Sequence, residues 1–327
     1  MSSAFSIRRL IPDTFLILLV VTVMAASIFP VKNEAAAIAK SVTGYAIALL
    51  FFLHGAKLSR QAIMGGITAW RIHVIVLVCT FVIFPIFGVA TKFVSDLWLN
   101  PVIGSGILLL CIMPSTVQSS IAFTSIARGN VSAAVCSASA SSVFGVVLTP
   151  LLASLLMSES GGGISLDAIY KISMQLLFPF ILGHLSRPLV RGVIESHKSV
   201  VTKVDRGVIL LVVYTAFSAA VVEGIWSRYS MNDLAWTFMF VSVILAAALI
   251  TTRSIARVAR LSVEDEITVV FCGSKKSLAS GVPIAAALFP AATVGPLILP
   301  LMLFHQVQLM VCAVLAQRYA ERIRFKQ

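Results

Sequence analysis

Residues 267–289 read ITVVFCGSKKSLASGVPIAAALF, an apolar run long enough to cross a bilayer but interrupted near its middle by Gly273, Ser274, Lys275, Lys276 and Ser277. Hydrocarbon tolerates a charged or irregular segment only where protein or a water-filled cavity supplies partners for its polar groups. A second run, residues 102–127, is broken in a similar way at Met113-Pro114-Ser115-Thr116-Val117-Gln118-Ser119-Ser120. Pro114 removes a backbone donor and obstructs the preceding turn, and Gly273 supplies conformational freedom at the other break. Two broken helices imply a cavity between them. Each break offers a C-terminal half-helix end that attracts cations and an N-terminal end that attracts anions.

Outward from these breaks the chain is apolar throughout. Of 327 residues 59% are hydrophobic and 12% charged, with mean hydropathy +1.00, where a soluble domain carries about 25% charged residues. Apolar runs lie at 12–30, 42–56, 72–92, 102–127, 130–157, 168–185, 207–226, 234–252, 267–289 and 291–315. At roughly 20 residues per span, these predict an all-α polytopic membrane protein of ten transmembrane helices in a single domain, residues 1–327. The first run follows Arg8 and Arg9 without a small-residue cleavage site and reads as a retained span.

The basic residues sort by side. Arg8, Arg9, Lys57, Arg60, Arg71, Arg128, Arg187, Arg191, Lys198, Lys203, Arg206, Arg253, Arg257, Arg260, Arg318, Arg322, Arg324 and Lys326 fall on one, 18 in all; Lys32, Lys40, Lys92, Lys171 and Arg228 fall on the other. The positive-inside rule then puts both termini in the cytoplasm, the protein in a cell inner membrane, and accounts for the net charge of +12 without an anionic polymer as partner. No basic cluster is interleaved with stacking aromatics, so nucleic acid is excluded as a partner and the lipid bilayer remains. Cys79, Cys111, Cys136, Cys272 and Cys312 all sit in apolar runs with no CxxC pair, and read as small buried residues.

Glu159 and Gly161-Gly162-Gly163 divide the runs five and five, which inverts the second half relative to the first. The repeats are predicted as residues 12–157 and 168–315, with Pro114 lying 102 residues after Pro12 and Ser274 lying 106 after Ala168. Interrupted helices at matching places in inverted halves point to the substrate site of a secondary transporter. Lys275 and Lys276 have no carboxylate near mid-span, since Glu223 and Glu266 lie near run ends and the other acids in loops or at run ends. A buried ammonium must then bind half-helix carbonyls or meet an anion. Adjacent helical residues project about 100° apart, so one of the two is expected to face the cavity, and Lys275 is chosen.

The binding residues expected at the breaks are Pro114, Ser115, Thr116, Gln118, Ser119, Ser120, Gly273, Ser274, Lys275, Lys276 and Ser277. Thr124 and a stripe of Ser137, Ser139, Ser141 and Ser142 are added as cavity lining, with Gln175, Tyr214, Ser218, His305, Gln306 and Gln308. Hydroxyl and amide oxygens suit sodium or substrate hydrogen bonds. No metal ligand set and no catalytic residue is assigned. HExxH, Walker and intramembrane aspartate-pair motifs are absent, so an enzyme is not expected.

Met113–Ser120 with Ala127-Arg128-Gly129-Asn130, the segment FFLHGAKLS (51–59) and Phe271–Ala279 together resemble the bile acid:sodium symporter family, in particular its branch containing solute carrier family 10 member 7. The resemblance spans nearly the whole chain. It implies an inverted repeat with broken, crossing helices 4 and 9, a core domain, and a panel of spans one, two, six and seven that moves against it in alternating access. It also exposes a departure. Symporters of this family coordinate sodium with a glutamate and a glutamine in the ninth helix, where this chain has Phe271 or Cys272 and Lys275; at the fourth-helix break it has Ser119, Ser120 and Ile121 in place of a serine and an asparagine. The expected function is transport of a small organic anion with sodium open as the coupling ion and no cofactor. The alternatives are proton coupling or exchange with Lys275 in place of sodium, and a non-transporting regulator of ion homeostasis such as that of calcium. The oligomeric state is left open.

Overall fold

The apolar runs become helices whose starts are fixed by short polar caps. In the computed structural model, which describes residues 14–57, 69–157, 166–224 and 230–324, the helices are α1 (Thr14–Ile28), α2 (Asn33–Lys57), α3 (Trp70–Ser95), α4 (Pro101–Ile112), α5 (Gln118–Ile126), α6 (Val131–Leu156), α7 (Leu166–Ser196), α8 (Lys198–Val222), α9 (Met231–Val258), α10 (Val263–Gly273), α11 (Leu278–Leu288) and α12 (Ala291–Arg324). Asn100 caps α4 ahead of Pro101, Asn130 caps α6, and Ser230 with Asp233 forms a reciprocal capping box on α9. No strand occurs among the described residues. Among the described residues six helices are each long and apolar enough to cross a membrane, and their outward faces carry exposed Ile, Leu, Val and Phe side chains where a soluble protein would be polar.

Both interrupted runs break where the sequence breaks them. The run at 102–127 splits into α4 and α5 around residues 113–117, and the run at 267–289 splits into α10 and α11 around residues 274–277. Helix α8 starts earlier than its apolar run, which was read from residue 207: polar residues from Lys198 onward continue the helix, so Asp205 stands two turns inside it. The acid had been assigned to a loop or run end because hydropathy marks membrane depth and not helix length. Glu159, the Gly161-Gly162-Gly163 stretch, Arg8, Arg9, Arg60, Arg228 and Lys326 lie outside the described residues.

Helix α2 packs along α7 at two reciprocal glycines. A Cβ on Gly55 would run into the Phe180 carbonyl, and one on Gly183 into the Phe52 carbonyl, so glycine is what lets the two backbones touch. Helix α3 contains a π turn at Cys79–Ile83, in which the Phe84 N–H reaches the Cys79 carbonyl five residues back. That shift takes Phe84 away from the Thr80 carbonyl, and the next residue, Pro85, has no N–H to offer. Thr80 is thus left with a free acceptor in the protein interior.

Candidate functional site

The two breaks meet. Ser277 donates its N–H to the Pro114 carbonyl at 2.9 Å, while the Ser115 hydroxyl donates to the Cys272 carbonyl at 2.6 Å and the Ser120 hydroxyl to the Phe271 carbonyl at 2.9 Å. A buried backbone group without a partner is costly, and further groups at each break are met by the unbroken helix that comes next after the broken pair. On α6, Ser141 accepts from the Ser115 N–H at 2.9 Å and Thr149 donates to the Ile112 carbonyl at 3.0 Å. On α12, Gln308 accepts from the Lys276 N–H at 3.0 Å and returns a hydrogen bond to the Lys276 carbonyl at 2.9 Å. The other Gln308 amide hydrogen faces His305 Nδ1 at 2.8 Å; an amide nitrogen only donates, so that ring nitrogen accepts and the imidazole proton sits on Nε2.

Both lysines are fully buried, yet they are held differently. Lys276 spends its three ammonium hydrogens on three carbonyls: Met113 at 2.7 Å, Cys111 at 2.8 Å and Thr80 at 2.9 Å, with the Phe84 ring beneath it at 4.1 Å. Cys111 and Met113 sit at the C-terminal end of α4, the negative pole of that half-helix, and Thr80 is the acceptor freed by the π turn. Lys275 makes one such bond, to the Ser119 carbonyl at 3.0 Å, and rests over Phe123 at 3.9 Å and Phe271 at 5.3 Å.

Beside this junction lies a cavity of about 420 Å³, within the range of small-ligand sites. Its polar walls come from both breaks. Thr116, Gln118 and Ser119 bring the start of α5, and Ser277 and Ser280 the start of α11, so two helix N-termini open into one space. Helix α5 has no side-chain cap. The facing wall is formed by Phe15, His54, Lys57, Phe180, Thr202, Asp205 and Arg206 from α1, α2, α7 and α8. Lys57 and Asp205 form an ion pair across α2 and α8. The second oxygen, Asp205 Oδ1, is buried without a hydrogen-bond partner.

The expected residues therefore divide. Thr116, Gln118, Ser119, Ser277, Ser139, Ser142 and His305 line the cavity. Pro114, Ser115, Ser120, Gly273 and Ser274 are buried in the junction or its helix ends, where Ser274 bonds its own helix at Val270 and Gly273 lets Thr252 and Cys79 pack close. Neither Lys275 nor Lys276 lines the cavity, because their ammonium groups point back into half-helix carbonyls; the choice of Lys275 over Lys276 as the cavity-facing lysine is corrected accordingly. Ser137 and Ser141 are likewise corrected: they point away, to His73 Nδ1 at 2.6 Å and to the Ser115 N–H, leaving Ser139 and Ser142 on the open face. Tyr214 donates to the Phe29 carbonyl at 2.7 Å, and Thr124, Ser218 and Gln306 lie off the cavity wall. The side chain of Gln175 lies outside the described residues. The charged group Lys57, Asp205 and Arg206 was missed, although its signal was present: Lys57 closes α2, and the acid-base pair Asp205-Arg206 directly precedes the apolar run of α8.

A family model described as the SBF-like CPA transporter family matches residues 13–321. Similar proteins include "Uncharacterized protein PA2026" of Pseudomonas aeruginosa, 56% identical over 96% of this chain and 95% of that one. "Putative symporter YfeH" of Escherichia coli is 52% identical over 94% and 92%. More distant is sodium/bile acid cotransporter 7 of Danio rerio, 26% identical over 84% and 83%.

Proposed function

The chain belongs to the SBF-like CPA transporter family, as an integral multi-pass membrane protein, and from that premise we propose that it is a secondary transporter of a small organic anion. The observation that carries the proposal is the convergence of two helix N-termini, at Gln118 and Leu278, on one cavity that also holds Arg206 and the Lys57–Asp205 pair, a net positive wall. Helix N-termini and cationic side chains together favour a carboxylate, sulfate or phosphate, and the apolar lining from Phe15, Phe180 and Ile209 suits an organic body. The proposed arrangement is ten spans, with α4 and α5 as the fourth and α10 and α11 as the ninth, in inverted repeats at residues 12–157 and 168–315. Alternating access moves the α1, α2, α7 and α8 wall against the junction. The cavity opens to the cytoplasm of an inner membrane, since Lys57 and Arg206 belong to the side enriched in basic residues.

At the junction, the place of a coupling cation is proposed to be taken by the chain itself. The carbonyls of Thr80, Cys111 and Met113 converge as a cation site would, and Lys276 fills it. This role was expected of Lys275, and it passes to the neighbour with three carbonyls. A sodium ion added there would compete with a tethered charge.

The test is uptake into proteoliposomes of taurocholate and of smaller carboxylates, sulfates and phosphates, under imposed sodium, potassium or pH gradients. Saturable uptake of at least one of these anions, reduced about tenfold or more in Lys57→Ala as expected for loss of a hydrogen bond to a charged group, is the expected result. Correctly inserted protein that moves none of them overturns the reading.

A further inference from the structure

A second groove opens on the outer face of the helix layer, away from the cavity. It lies between α9 and α12 with α10 as its floor and encloses about 470 Å³. Its walls are Ile250, Met310, Val311 and Val314, all exposed. Val311, Val314 and Arg318 lie three and seven residues apart on one stripe of α12, about 10 Å of helix. The groove is therefore apolar along its length and ends in Arg253 and Arg318.

The charge at that end is out of balance. Arg253 and Arg257 each offer a single nitrogen to Glu266, at 3.3 and 3.4 Å, and the Tyr319 hydroxyl donates to the same carboxylate at 3.0 Å. One carboxylate, mostly buried, thus answers two guanidiniums whose terminal nitrogens remain unspent. Arg318 is exposed and has no acidic partner among the described residues. An apolar slot that faces lipid and ends in surplus guanidinium on the basic side of the protein is complementary to one kind of occupant, with an acyl chain and an anionic head.

We propose that this groove is a binding site for an anionic phospholipid, whose phosphate sits on Arg253 and Arg318 and whose acyl chain lies along Ile250, Met310, Val311 and Val314. The site is coupled to the junction by sequence. Val270 on the groove floor precedes Phe271, whose carbonyl takes the Ser120 hydroxyl. A bound lipid would brace α10 against α12 at the point where the second broken helix begins.

Native mass spectrometry of the full chain, purified in detergent and exposed to equal phosphatidylglycerol and phosphatidylethanolamine of matched chains, tests this. The expected result is preferential retention of phosphatidylglycerol, lowered about fivefold by Arg318→Gln and also by Val314→Trp, which fills the slot without touching charge. Arg187→Gln, a basic residue of α7 that lies near Lys57 and Gln118 and away from the groove, keeps the preference. Arg253→Gln is set aside as the primary variant because Arg253 also holds Glu266. Equal retention of the two lipids, or a preference that survives Arg318→Gln, overturns the site. Neither outcome bears on anion uptake, which is measured separately.

Discussion

The two breaks share a geometry and differ in chemistry. At residues 113–117 the loose backbone groups are met by neutral hydroxyls, Ser141 and Thr149 from α6, and by the Ser277 N–H. At residues 274–277 the break brings two ammonium groups, and the amide of Gln308 on α12 clamps the Lys276 backbone through its N–H and its carbonyl. Each half uses the unbroken helix after its broken pair as support, α6 in the first and α12 in the second, but only the second exports charge. Lys276 crosses to the negative end of α4 and makes good the carbonyls that the first break left open. A shared scaffold can therefore divide labour, with one break supplying acceptors and the other supplying a cation. The N-terminal ends of both remain directed at the cavity.

Removing Lys276 should give the largest effect. Lys276→Met strands three buried carbonyls, each costing ~1–3 kcal/mol when left unmade, so a loss of roughly 3 kcal/mol or more is expected in thermal unfolding of the detergent-solubilised protein. Lys275→Met, which forfeits one carbonyl bond and two ring contacts, should cost less than half as much. Equal losses would break the distinction between the two lysines. The same melts sharpen it in sodium, potassium or choline chloride at equal ionic strength. Wild type should show no sodium-specific rise. Lys276→Ala, which frees both the charge and the space, should show one, about 1.4 kcal/mol at a sodium concentration tenfold above its Kd. A sodium-specific rise in wild type would place an ion elsewhere in the junction.

Gln308→Leu comes next. It deletes both hydrogen bonds to the Lys276 backbone and the one to His305 Nδ1, and an expected cost of about 1–2 kcal/mol follows from two buried groups at this depth. Its consequence should also be functional, because His305 lines the cavity: uptake by Gln308→Leu should fall further than its unfolding temperature alone would suggest. Uptake that tracks folded yield would confine Gln308 to a structural part.

How much of this was legible in the sequence depended on which physical signal was in play. Apolar length located the helices, and polar residues within apolar runs located both breaks, because hydrocarbon leaves few other reasons for Pro114 or Gly273 with two lysines. The direction of each side chain was not legible. Ser139 and Ser142 differ from Ser137 and Ser141 only in helical phase, and a serine stripe without a known partner has no phase. Lys276 could not be told from Lys275, because its strongest partner set includes the Thr80 carbonyl, freed by a π turn that hydropathy does not record. Pro85, five residues on, was the one hint. Asp205 was passed over because membrane depth was read as helix length, although an acid beside Arg206 within reach of an apolar run is where a helix projects past hydrocarbon.

The smallest effect is also the sharpest check on the comparison. Ser141→Ala deletes one neutral hydrogen bond, to the Ser115 N–H, and the Ser115 hydroxyl still holds the Cys272 carbonyl. Hydrogen bonds between membrane helices average about 0.6 kcal/mol in double-mutant cycles, and a stranded N–H raises the cost toward ~1 kcal/mol. Ser137→Ala, which removes one hydrogen bond of His73 on α3, controls for loss of a serine elsewhere on α6. If the first break is held by several independent neutral bonds, Ser141→Ala should melt within about 1 kcal/mol of wild type and well above Gln308→Leu. A loss equal to that of Gln308→Leu would mean that the first break depends on Ser141 as heavily as the second depends on Gln308, and the division between a break supported by separate neutral hydroxyls and one clamped by a single amide would fall.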